Sequence, residues 1–84
     1  VMKLKMNKTN LYLEKLKDTD PEKFTSTFSE IFDFLNLDES TVACETDMSR
    51  PTISRWRKGE SRPQDAFIKL IYSYLSKKLK ENLR

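Results

Sequence analysis

The sequence predicts an all-α protein, a compact bundle of four to five short helices. Apolar residues recur at helical spacing in successive stretches of the chain, which indicates amphipathic helices around a shared core. Residues that cap helices, among them Asp20, Asp38 and Ser49, stand directly before such stretches. No stretch alternates apolar and polar residues for long enough to indicate a strand. The 84 residues, 37% of them hydrophobic, suit one small domain.

The first 20 residues form a segment that the pattern separates from the helical domain of residues 21–84. Residues 1–8 are rich in lysine and predict a frayed basic arm, although such an arm can also wrap DNA. Thr9 or Asn10 is placed to cap a short helix that runs to about Lys17. Three leucines of this helix are available for packing: Leu11, Leu13 and Leu16.

The second helix has the strongest signals. Asp20 followed by Pro21 predicts its start, because aspartate caps a helix and proline fits the first turn. We expect the helix to run to about Leu35 and to end at Asn36, which tolerates a left-handed backbone. Its apolar stripe predicts the main core helix. The stripe consists of Phe24, Phe28, Ile31, Phe32 and Leu35.

A short third helix follows. Asp38 predicts its start, and the helix should end near Thr46. Val42 and Ala43 are expected to face inward. Cys44 is expected to pack as a small side chain, since no second cysteine or histidine lies near it.

The fourth helix is expected to begin after Ser49, whose hydroxyl can cap it, and to run to Lys58. Gly59 predicts its end, because glycine adopts the left-handed backbone at no steric cost. On a helical wheel Ile53 and Trp56 point to one side, which predicts the buried face.

The fifth helix is predicted to begin at Ser61-Arg62-Pro63. Its expected apolar stripe consists of Phe67, Leu70, Ile71, Tyr74, Leu75 and Leu79. This helix has more apolar surface than a monomer needs, which predicts a homodimer contact. The expected contact residues are Tyr72, Tyr74, Leu75, Leu79 and Leu83.

Absent residue types exclude several classes of function. Histidine, the commonest general base and metal ligand, is missing. A single glycine excludes the glycine-rich loops that bind phosphate. We therefore expect no enzyme activity, no catalytic residue, no metal and no cofactor. The single cysteine and the lack of an apolar run of about 18 residues predict a cytoplasmic protein with no membrane partner.

Charge is arranged in blocks along the chain. The net charge is +4 over residues 1–17, −8 over residues 18–47, +4 over residues 50–62 and +4 over residues 69–84. A polarised surface of this kind can orient a protein on a polyanion. The total of +3 is too small to indicate nucleic acid by itself, and charge blocks also occur on ordinary solvated helix faces.

The outer face of the fourth helix indicates DNA recognition. A helix fits the major groove of B-DNA, where the fork of Arg50 or Arg55 can meet O6 and N7 of a guanine. Hydrogen bonds to bases can also come from Thr52 and Ser54. Cations near the far end of the helix are expected to contact phosphates. These are Arg57, Lys58 and Arg62.

Residues Glu39–Lys58 resemble the helix-turn-helix of phage repressor and Cro-type bacterial regulators. The small residue of that family falls on Ala43, its turn residue on Asp47, and its buried pair on Ile53 and Trp56. Further inward positions fall on Val42 and Met48. The resemblance extends over residues 21–75 and implies a lambda-repressor-like fold whose second motif helix lies in the major groove.

The resemblance also implies roles for single residues. The base-facing set is Arg50, Pro51, Ser54 and Arg55. The phosphate-contacting candidates are Ser40, Thr41, Lys58 and Arg62, to which we add Ser49. The chain departs from the family at Asp47, where glycine is frequent, and at Thr46, where a larger apolar residue is usual. Glu39 replaces a glutamine that often binds phosphate, and a carboxylate there should repel phosphate.

We therefore expect a sequence-specific regulator, bacterial or phage-encoded, that binds a palindromic operator in double-stranded DNA as a homodimer. The alternative is a protein-interaction module of the same fold, an antitoxin or adaptor whose basic helix meets an acidic partner. Only a sequence-specific DNA-binding protein should prefer one duplex over others and lose affinity for it steeply as the salt concentration rises.

Overall fold

The structure is a computed structural model that describes the backbone of residues 2–82 and the side chains of residues 8–82. Within residues 2–82 the chain forms five α-helices and no strand, and a single 3-10 turn, Pro21–Lys23, precedes the second helix. The predicted all-α class is confirmed. The helices are α1 (Met2–Lys15), α2 (Phe24–Phe34), α3 (Glu39–Thr46), α4 (Arg50–Lys58) and α5 (Asp65–Glu81).

Helix α2 provides the centre of the core. Four residues of its predicted apolar stripe are fully buried, and Leu35 directly after the helix is partly buried. Helix α4 packs against α2 and α3, and α5 packs against α1. The indole of Trp56 meets the rings of Phe24 and Phe28 edge-on, with centroids 5.8 and 6.0 Å apart. The contact fixes the inner face of α4 on the core.

Three left-handed residues end the helices α2, α3 and α4. They are Asn36 (φ 52°), Asp47 (φ 59°) and Gly59 (φ 78°). After each, a backbone amide donates to a carbonyl five residues earlier, which satisfies an orphan acceptor of the last turn. The bonds run from Leu37 to Phe32, from Met48 to Ala43 and from Glu60 to Arg55, at 2.9–3.0 Å. The helix ends predicted at these residues are confirmed.

Two of the predicted capping side chains, those of Asp38 and Ser49, are also confirmed. Asp38 accepts from the backbone N–H of Thr41 at 3.0 Å, and Ser49 accepts from that of Thr52 at 3.3 Å. Asp20 caps the 3-10 turn instead of α2 itself, so that α2 begins at Phe24.

The N-terminal segment differs from the prediction. The helix expected from Thr9 or Asn10 begins at Met2, so the frayed arm predicted over residues 2–8 is wrong; Val1 lies outside the described residues. Thr9 of α1 and Leu16 directly after it are buried, but Leu11 is exposed. The sequence offers no cap at Met2, and packing against α5 is a tertiary contribution that local signals do not contain.

Helix α5 also differs from the prediction. It begins at Asp65, later than the Ser61-Arg62-Pro63 start, and Leu70 is 62% exposed. Tyr74 and Phe67 are half-buried. Ile71, Leu75 and Leu79 of the predicted stripe are buried, and Ile68 and Tyr72, which the prediction did not include in that stripe, complete the buried face. Three of the expected dimer-contact residues therefore lie in the core of the monomer, and Leu83 lies outside the described residues.

Candidate nucleic-acid interface

Helix α4 is divided into a buried and an exposed face. Ile53 and Trp56 are buried, as predicted, while Val42 and Ala43 of α3 are buried and Met48 is partly buried against the same core. The exposed face of α4 carries Arg50, Pro51, Arg55 and Lys58, with Thr52 and Ser54 half-buried between them. The structure therefore brings all five predicted base-contacting residues onto one short helix.

The connection between α3 and α4 is short and well satisfied. Asp47 turns the chain in the left-handed region, Met48 packs inward, and Ser49 caps α4. The hydroxyls of Ser49 and Thr52 also bond each other at 2.8 Å. Both side chains were predicted to contact DNA, and in the free protein both first serve to begin the helix.

Cations without an intramolecular partner mark the exposed side of α4. Among residues 8–82, the side chains of Arg55, Lys58 and Arg62 make no hydrogen bond or ion pair, and all three are exposed. Of the four cations between residues 8 and 49, three are paired with carboxylates: Lys15, Lys17 and Lys23. Arg55, Lys58 and Arg62 can therefore bind an external anion without first breaking a contact in the protein.

Arg57 has a different environment from Arg55. Its guanidinium donates to Glu39 at 3.0 Å and to Asp33 at 3.1 Å, and it lies 4.2 Å from the ring centroid of Phe32. Arg57 was predicted to contact phosphate, but these contacts hold it against α2 and α3 within the protein. We therefore remove it from the set of free cations.

The first turn of α3 contributes hydroxyls beside α4. Ser40 and Thr41 are exposed, and the hydroxyl of Thr41 donates to the capping carboxylate of Asp38 at 3.2 Å. Thr46, which replaces a larger apolar residue, donates its hydroxyl to the backbone oxygen of Val42 at 2.7 Å. This bond satisfies a hydroxyl that is otherwise costly to bury partly.

Cys44 is exposed, so its predicted packed position is wrong. Helix α3 is only eight residues long, and its inward side is taken by Val42 and Ala43.

Glu45, the residue after Cys44, connects α3 to α5. Its carboxylate forms an ion pair with Lys78 at 3.0 Å and accepts a hydrogen bond from the Tyr74 hydroxyl. These two hydrogen bonds hold the pKa of Glu45 below its usual value.

A second basic surface escaped the sequence analysis. A groove of 560 Å³ lies between α1 and α5, and its lining combines Lys69, Ser73, Ser76 and Lys80 of α5 with apolar and acidic residues such as Leu13 and Glu14. Their spacing of three to four residues is a helical-face signal that the apolar stripe of α5 obscured.

Comparison with family models, with curated proteins and with solved structures gives no match to this chain. No helix within the described part of the chain has the length and apolar character needed to cross a membrane. The chemistry of the exposed face of α4 is therefore the basis for assigning a function.

Proposed function

We propose that this protein binds double-stranded DNA in a sequence-specific manner and acts as a small transcriptional regulator without enzymatic activity. The proposal is carried by one observation, the exposed face of α4. This face carries Arg50, Arg55 and Lys58, and the opposite face of the same helix packs on the core. A rigid helix with exposed arginines is suited to reading guanine in the major groove.

The residues of this face take two roles in the proposal. Arg50 in the first turn and Arg55 on the outer face contact base edges, with Pro51, Thr52 and Ser54 between them. Lys58 and Arg62 contact phosphates, because they lie at the end of α4 and in the loop beyond it. Ser40, Thr41 and Ser49 are the hydroxyl donors to the backbone of the DNA. A regulator of this kind would work in the cytoplasm of a bacterial cell.

We also propose a homodimer that binds a palindromic operator, with a contact surface that differs from the one expected from the sequence. Leu70 is exposed and Phe67 is half-buried beside it. Two antiparallel copies of α5 crossing there would cover these apolar side chains with the same surface of the second copy, as in an isologous dimer.

Selection from random duplexes, followed by anisotropy measurements over a salt series, tests the DNA-binding proposal. We expect one preferred duplex and a steep fall of affinity with salt. Arg55→Ala should cost about 1–3 kcal/mol at one base pair, whereas Lys58→Ala should weaken all duplexes alike and reduce the salt slope by about 1.

Lys77→Ala is the matched control, because Lys77 is an exposed cation on α5 that makes no hydrogen bond or ion pair within residues 8–82 and lies outside the proposed interface. It should leave the base preference unchanged. Equal losses from Arg55→Ala and Lys77→Ala on every duplex would contradict the assigned roles. Tight binding to an acidic protein without any duplex preference would favour the antitoxin or adaptor alternative.

A further inference from the structure

Glu39 is the carboxylate that links the fold to the proposed DNA-binding face. One oxygen, Oε2, accepts a hydrogen bond from Nη1 of Arg57 at 3.0 Å. Asp33 and the ring of Phe32 also contact this guanidinium. The Glu39 side chain is only 21% exposed. Its position is therefore determined by the core of the protein.

The other oxygen of Glu39 lies beside Arg50. The distance from Oε1 to Nε of Arg50 is 3.7 Å, which is an ion pair but too long for a hydrogen bond. The Arg50 side chain is 70% exposed. Because the approach is made at Nε, the terminal nitrogens of the Arg50 fork stay available, and these can form the paired contacts with guanine.

We propose that Glu39 is a positioning residue that determines the base specificity of Arg50. This inference rests on the DNA-binding function proposed above. Phosphate and carboxylate compete for the same guanidinium, so Glu39 reduces the gain from moving Arg50 onto the DNA backbone. It also restricts the rotamers of Arg50, which lowers the entropy lost on binding a base. The carboxylate that was expected to repel phosphate would thereby favour specific over sequence-independent binding.

Arg57 is necessary for this role because it fixes Glu39. Without that anchor, a glutamate in the first turn of α3 could turn to solvent and leave Arg50. The arrangement therefore assigns the two arginines different tasks. Arg57 holds the carboxylate, and the carboxylate holds Arg50.

The test compares Glu39→Gln with Asp33→Asn. Both changes raise the net charge by one and both remove a carboxylate from Arg57, but only Glu39 approaches Arg50. Dissociation constants are measured on the preferred duplex, on its single-base-pair variants and on a random duplex. Glu39→Gln should reduce discrimination at the base pair read by Arg50 by about 3- to 10-fold. It should tighten binding to the random duplex and steepen the salt slope by about 1, one phosphate contact.

Asp33→Asn should leave discrimination at that base pair unchanged. Combining Glu39→Gln with Arg50→Ala should give no more loss of discrimination than Arg50→Ala alone, because the two residues would act through one contact. Glu39→Asp is the second variant if the neutral side chain does not fold. It keeps the net charge but shortens the side chain by one methylene, which lengthens an approach to Arg50 that is already 3.7 Å, and it should also reduce discrimination at that base pair.

Undiminished discrimination in a folded Glu39→Gln or Glu39→Asp protein would overturn the inference and leave the proposed function intact. Equal losses at all base pairs from Glu39→Gln and Asp33→Asn would also overturn it, because they indicate a structural role through Arg57. If the unsubstituted protein prefers no duplex, the proposed function fails and this inference fails with it.

Discussion

Helices α4 and α5 are both basic and amphipathic, yet the sequence predicted the buried face of only one of them. Helix α4 has nine residues, and Ile53 and Trp56 are its two large apolar side chains. Only one face of it can be buried. Helix α5 has 17 residues, with apolar side chains on more than half of its circumference. Its sequence is therefore consistent with more than one choice of buried face. When a helix has apolar residues on several sides, its packing against the rest of the protein determines which side is buried.

The two helices also differ at their ends. Helix α4 begins at a capping serine and ends at a left-handed glycine, both of which are local signals. Helix α5 begins at Asp65, and the residue before it, Gln64, makes no side-chain capping hydrogen bond. Its position depends more on packing against α1 and on contacts to α3.

The largest expected effect tests the assigned faces of α5. Leu79→Lys should unfold the domain, because Leu79 is fully buried. Loss of a buried leucine costs about 2–5 kcal/mol, and an unpaired buried ammonium adds its desolvation, in a domain with about 5–15 kcal/mol in total. Leu70→Lys should change stability by less than about 0.5 kcal/mol and shift a dimer to a monomer. Circular-dichroism melting and sedimentation measure the two effects.

A cooperative melt in Leu79→Lys, or unfolding in Leu70→Lys, would mean that the buried face of α5 is assigned incorrectly. An unchanged sedimenting mass in a folded Leu70→Lys protein would remove the proposed dimer surface but would not affect the fold.

An intermediate effect tests the local end of α4. Gly59→Ala should lower the free energy of unfolding by about 1–2 kcal/mol, since the backbone is left-handed there. The added Cβ would also lie 3.3 Å from Cγ2 of Thr25. Gln64→Ala is the control at the start of α5 and should be close to neutral. Chemical denaturation measures both, and a larger loss from Gln64→Ala would reverse the contrast between the two helices.

The smallest effect tests the attachment of α5 to α3. Because hydrogen bonds from Tyr74 and Lys78 lower the pKa of Glu45, its contribution to stability is present above its unfolded pKa near 4.5 and is lost as the pH falls through the lower folded value. The melting temperature should therefore be a few degrees higher for the unsubstituted protein than for Glu45→Gln at pH 6. This difference should shrink steadily below about pH 4.5.

Glu60→Gln is the control for this experiment, since Glu60 is exposed and has no ion pair within residues 8–82. Its melting temperature should follow that of the unsubstituted protein at every pH. A Glu45→Gln difference that is constant with pH would show that the ion pair and its hydrogen bonds do not stabilise α5.

Much of the fold was predictable because its signals are local. The three left-handed helix ends, the capping residues Asp38 and Ser49, and the stripe of α2 each involve residues a few positions apart. The start of α1 and the exposed side of Leu70 were not predictable in this way. They depend on α1 and α5 meeting across more than 50 residues of chain.

The candidate site shows the same division. The sequence by itself determined which residues form the outer face of α4. Helical periodicity and the scarcity of apolar residues allow only one face of this helix to be buried, so the opposite face must be exposed. Only the tertiary structure decided the partners of the charges: Arg55 has none within residues 8–82, Arg57 is held by Asp33 and Glu39, and Glu39 approaches Arg50. A charged side chain takes its partner from whatever helix packs beside it, and that neighbour is fixed by the burial of apolar residues elsewhere in the chain.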